Sequence, residues 1–119
     1  MKLADLMNAV DQSFPNYEFE IEREGEASVT LVFRNILRLD AERRAEVMAF
    51  KAEAAEGDSL RKQAEAEKAG LTLLLDEPER IEEIEEVFQA IPNDRDALWI
   101  ELGRLYSEET QLGEAQPSQ

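Results

Sequence analysis

The chain of 119 residues can hold one modest core, and its 13 basic and 28 acidic residues leave a formal charge of −15. Cysteine and histidine are both absent, which excludes disulfides, thiol nucleophiles, zinc sites built on Cys or His, and any Ser-His-Asp triad. A pI near 4.3 argues against a nucleic-acid partner held through its phosphates, because like charges repel.

Hydrophobic residues, at 43%, suffice for a folded domain. No apolar run, Leu73-Leu74-Leu75 included, approaches the length of a membrane span. Asp5 comes too early for a secretory signal. The expectation is a soluble, cytoplasmic protein with no membrane partner, and a composition that favours interaction over catalysis.

Leu3, Leu6, Met7 and Val10, with Phe14 one turn on, predict a short helix over 3–14, ended by Pro15-Asn16. Tyr17, Phe19 and Ile21 then alternate strictly with Glu18, Glu20 and Glu22, the period of a half-buried strand. Gly25 offers a turn, and Ser28 to Arg34 reads as a second strand with Val29, Leu31 and Phe33 on one face. The two runs make a β-hairpin. A lone hairpin is marginal in water, so its apolar face must lie on helices.

Helices follow. Asp40 suits an N-cap, and Ala41, Ala45, Met48, Ala52 and Ala55 form a narrow stripe for close helix packing. Gly57 breaks this helix. Asp58 or Ser59 caps the next, through Ala69, with Leu60 and Ala64 facing inward. Leu71 to Leu75 is either its last turn or a separate apolar segment. Asp76-Glu77-Pro78-Glu79 opens another helix, with proline where a missing N–H costs nothing and acids at the positive end of the dipole. Ile81, Ile84, Val87, Phe88 and Ile91 are its buried stripe. Pro92 stops it and Asn93 caps the last helix, where Leu98, Leu102, Leu105 and Tyr106 share a face with Trp99 beside them. The fold class is α+β, with an N-terminal helix and a β-hairpin packed on a mainly helical C-terminal bundle. One domain spans 1–108, and 109–119 is a flexible tail.

Chemistry is sparse. The stretch Asp76 to Glu86 holds seven acids against Arg80 alone. It matches no calcium loop, and Glu82, Glu83, Glu85 and Glu86 read as an outer, solvated helix face. The five glycines are scattered and form no phosphate loop, so no catalytic residue, cofactor or metal is expected. Arg34, Arg38, Arg43 and Arg44 cluster in an otherwise acidic chain. Two readings stay open: contact with a partner protein, or internal pairing with Glu18, Glu20, Glu22, Glu42 or Glu46. Trp99 and Tyr106 lie seven residues apart on one helix face. Core packing is the commoner role for such a pair, and a binding hot spot is the alternative. Arg34, Arg38, Arg43, Trp99 and Tyr106 are therefore the candidate partner-binding residues. A DNA mimic that occludes a nucleic-acid-binding protein is an alternative function, although interleaved arginines spoil a uniform field.

The segment Val29-Thr30-Leu31-Val32-Phe33-Arg34-Asn35-Ile36-Leu37-Arg38-Leu39, followed by Glu42-Arg43-Arg44, resembles tail assembly chaperones of long-tailed actinobacterial phages. In that family a strand runs into an Arg-Asn-Leu-Leu-Arg-Leu-like segment and then a helix opening with acids and arginines; Ile36 stands here where leucine is common. The ending Glu109-Thr110-Gln111-Leu112-Gly113-Glu114-Ala115-Gln116-Pro117-Ser118 is similar to the family's Thr-Gln-Pro-Gly-Glu-Ala-Ser-Pro-like close, with Leu112 for proline and Gln116 for serine. The resemblance implies a non-catalytic protein of the host cytoplasm. Such a protein binds the long, helical tape measure protein, keeps it soluble, helps recruit tail tube subunits and is absent from the mature virion. It also implies a longer frameshifted form, with Gly113 and Glu114 marking the region of the slippery codons. Self-association is left open.

Overall fold

The structure, a computed structural model, describes residues 1–110. Helix α1 (Leu3–Ser13) is followed by strands β1 (Tyr17–Arg23) and β2 (Glu26–Phe33). Four helices complete it: α2 (Ala41–Glu56), α3 (Leu60–Leu74), α4 (Ile81–Gln89) and α5 (Arg95–Glu109). Short 3-10 turns at Ile36–Arg38 and Pro78–Arg80 lead towards α2 and into α4. The expected α+β class is the observed one. Helix α5 runs through Glu109, past the boundary expected at 108. The expected tail lies almost wholly outside the described residues, as do Gly113 and Glu114.

The hairpin forms as its alternation dictates. Tyr17 pairs with Phe33, Phe19 with Leu31 and Ile21 with Val29. The loop reverses at Gly25, whose φ of 75° is a left-handed conformation that an L side chain rarely adopts. Val29, Leu31 and Phe33 are buried against the helices, while Glu18, Glu20 and Glu22 face solvent. The apolar run after Gly70 resolves into both expected alternatives. Leu71 to Leu74 is the last turn of α3, and Leu75 then leaves the helix to bridge Phe33. Arg34 N donates to the Leu74 carbonyl at 2.7 Å, and Asp76 N to the Val32 carbonyl at 2.9 Å. This segment covers one end of the outer edge of β2. No other strand pairs with the outer edge of β1 among the described residues.

Helix α3 packs on both α2 and α5. The face of α2 that does so is not the expected one. Ala41, Ala45, Met48, Ala52 and Ala55 are exposed, and Val47 is fully buried with Phe50 and Ala54 beside it. Burial scales with apolar area, so a valine and a phenylalanine outweigh a row of methyl groups. Gly70 of α3 faces Phe50 of α2, where an added Cβ would make an ordinary contact at 3.4 Å from Phe50 Cβ. Leu60 is also exposed, contrary to expectation, because the whole stretch 58–62 lies in solvent; Ala64 is buried as expected. Ile91 lies beyond the end of α4 and is half in water. Leu105 sits about 120° round the helix from Trp99 at 100° per residue, and is likewise exposed.

Two helix starts follow the sequence signals. Asp40 accepts a hydrogen bond from Arg43 N at 2.8 Å, and Ser59 accepts one from Lys62 N at 3.2 Å. Asn93 does not cap α5. Asp94 N donates to the Ile91 carbonyl at 3.0 Å, so a turn takes up this stretch and the helix begins at Arg95. Asp40→Ala is expected to lower stability by about 1 kcal/mol through an unsatisfied N–H at the start of α2. A urea midpoint identical to wild type would show that water replaces the cap without loss.

Candidate functional site

Glu85 overturns its expected place on a solvated face. It lies four residues after Ile81 and three before Phe88, on the same stripe, and is buried with them. Arg95 closes on it with two bonds, Nε to Oε2 at 2.9 Å and Nη2 to Oε1 at 2.5 Å. Lys68 Nζ adds a third at 2.6 Å. Arg95 also reaches Glu65 at 2.7 Å and Asp96 at 2.8 Å. The Arg95 hydrogen bonds, opposed by burial and helped by Lys68, hold the Glu85 carboxyl at about 2. A carboxylate held this firmly ionised is a poor proton carrier near neutrality. The cluster ties α3, α4 and α5 together, which is a structural role. The spacing of Glu85 on the Ile81–Phe88 stripe was the signal that could have revealed it.

Trp99 and Tyr106 belong to the core. Trp99 is fully buried, edge-on to Phe88 with ring centroids 4.9 Å apart, and Lys68 Nζ lies 5.8 Å from its ring. Tyr106 packs edge-on to Phe33 and Tyr17 at 5.8 and 6.1 Å. Its hydroxyl donates to the Arg34 carbonyl at 2.9 Å, and burial raises its pKa. Neither ring offers a face to a partner, so both are corrected from contact residues to packing residues.

The arginines separate. Arg38 bridges Asp11 of α1 at 3.0 Å and pairs with none of the glutamates considered from sequence. Arg34 acts through its backbone, holding Leu74 and Tyr106. Arg44 donates to the Leu39 carbonyl at 3.1 Å. Arg43 is exposed in the first turn of α2, without an ion pair among the described residues.

What the structure does present is α1. The helix starts with Lys2 N donating to Asp5 Oδ2 at 3.3 Å, and its apolar residues fall on one face. None of its residues is buried. Leu3 is 73% exposed, Leu6 50%, Met7 45% and Phe14 38%. Leu37, beside the Arg38 tether, is exposed as well. Single exposed leucines are ordinary, but a contiguous apolar stripe on one helix marks an interaction surface. Sequence periodicity identified this stripe but not that the fold leaves it without a partner among the described residues.

Among the described residues, no cluster of acids could hold a metal ion and no helix is long and apolar enough to cross a membrane. Comparison with protein-family models, with curated proteins and with solved structures finds no match to this chain.

Proposed function

We propose that this protein is a non-catalytic tail assembly chaperone. It binds an apolar helical segment of the tape measure protein, keeps it soluble in the host cytoplasm and helps recruit tail tube subunits. The observation that carries this reading is the unpartnered apolar face of α1. A second amphipathic helix laid on Leu3, Leu6, Met7 and Phe14 removes apolar area from water on both sides, at roughly 25 cal/mol per Å² before association losses. The charge of −15 disperses the complex once it forms. The sequence resemblance is the ground for naming this client, and the exposure of α1 supports a helix-binding role. The alternative of a DNA mimic has the outward row Glu18, Glu20 and Glu22 behind it, but one short row falls short of the two-stranded charge array of a duplex.

Co-expression with helical fragments of a phage tape measure protein tests the proposal. Wild-type protein is expected to raise the soluble fraction several-fold. Leu6→Asp with Met7→Asp is expected to abolish that gain while lowering the thermal midpoint only slightly, because both side chains are already about half in water. Equal insolubility of the fragments with and without the wild-type protein overturns the reading.

A further inference from the structure

A trough of about 670 Å³ lies between the turn end of the hairpin and the α4–α5 corner. Its floor is apolar and formed by residues distant in sequence: Ile21 and Val29 from the hairpin, Val87 and Phe88 from α4, Ile91 and Leu98 around the corner. Ile91, the one member of the expected α4 stripe that stays exposed, is exposed into this trough. Val87 and Leu98 are half-buried.

The rim is acidic. Glu22, Glu24, Glu26, Glu83 and Glu86 line it, with Arg23 as the sole cation. Arg23 is already engaged, by Glu26 at 3.3 Å and by the Ala27 carbonyl at 2.8 Å. Glu83 is held by Arg80 at 2.8 Å. Glu22, Glu24 and Glu86 have no ion-pair partner among the described residues. Carboxylates spaced around an apolar floor make the local potential negative, which repels anions and favours a ligand that is greasy on one face and positive at its flanks. The trough is half open to solvent, which suits a chain segment better than an enclosed small molecule. No residue of α1 contributes to it, so this site stands independently of the function proposed above.

We propose that this trough docks a cationic amphipathic helix of a partner protein. Its apolar stripe lies on Val87, Ile91 and Leu98, and its lysines or arginines meet Glu22, Glu24 and Glu86. Side chains anchored in a groove give the affinity, and the charged rim sets orientation and rejects acidic competitors.

Three fluorescent peptides of about four helical turns test this. The first carries a leucine stripe flanked by lysines, the second has glutamate for every lysine, and the third scrambles the first. Fluorescence anisotropy with the full chain is expected to give the first peptide a Kd about tenfold or more below either other. Raising salt from about 50 to about 500 mM is expected to weaken it by a similar factor. Glu22→Gln, Glu24→Gln and Glu86→Gln together, and separately Ile91→Asn, are each expected to weaken it about tenfold with unchanged thermal midpoints, since all four side chains are exposed. Leu6→Asp with Met7→Asp leaves it within about twofold. Equal binding of the scrambled peptide, which is what bulk charge alone would produce, overturns the proposal. So does absence of binding, or binding lost on changing α1 but retained when the trough is changed.

Discussion

Glu85→Ala is expected to lower the free energy of unfolding by about 3–5 kcal/mol, a large share of the stability of a domain this size. The loss comes from what remains behind. Lys68 would keep its charge beside the core with its carboxylate gone, and Arg95 would retain only Glu65 and Asp96. Replacing all three by leucine or methionine is expected to come within about 1 kcal/mol of wild type or above it, because no charge is then stranded. Equilibrium urea unfolding by circular dichroism measures both, and a near-neutral Glu85→Ala would mean that solvent reaches the cluster freely.

The same group sets an acid limit. Its carboxyl sits at about 2 in the folded chain, below the ordinary glutamate value of about 4.3. The unfolded chain therefore takes up the proton first as pH falls. The contribution is complete above about pH 4.5, amounts to about 3 kcal/mol, and is lost progressively as pH drops towards 2. Glu85→Gln is expected to remove that slope while leaving the rest of the acid transition in place.

Trp99→Ala is the other substitution with a large expected effect, about 3–5 kcal/mol. Trp99 is wholly enclosed, and its ring is the edge-to-face partner of Phe88. Truncation opens a cavity where α4 meets α5, on top of the lost transfer free energy of the indole. Its Nε1 finds no hydrogen-bond acceptor among the described residues, so no hydrogen bond adds to the contribution of Trp99. Trp99→Phe is accordingly expected to recover much of the loss. Denaturant midpoints that fall equally for Ala and Phe would point instead to an unseen acceptor for the indole N–H.

Local signals carried the fold far. The alternation from Tyr17 to Glu22, the glycine turn and the caps at Asp40 and Ser59 each depend on near neighbours, and each formed as read. The departures arose where long-range packing chose among faces. Helix α2 offered two faces, and the one bearing Val47 and Phe50 won over the alanine row. Glu85 was read from its residue type rather than from its position between Ile81 and Phe88. The candidate contact residues fared similarly. Trp99 and Tyr106 are apolar enough to be drawn inside, whereas periodicity alone does not say whether the stripe on α1 will find a cover. The trough was not legible at all, because its floor is assembled from three separated stretches of chain.

The outer edge of β1, which pairs with no other strand among the described residues, carries a consequence of its own. An uncovered strand is a template on which further copies can stack. Copies added in register would bring Glu18, Glu20 and Glu22 into ladders of like charge at about 4.8 Å spacing, with little room for counterions. The alternation that builds the hairpin thus also guards it, since every second residue along the exposed edge is a gatekeeper against cross-β growth.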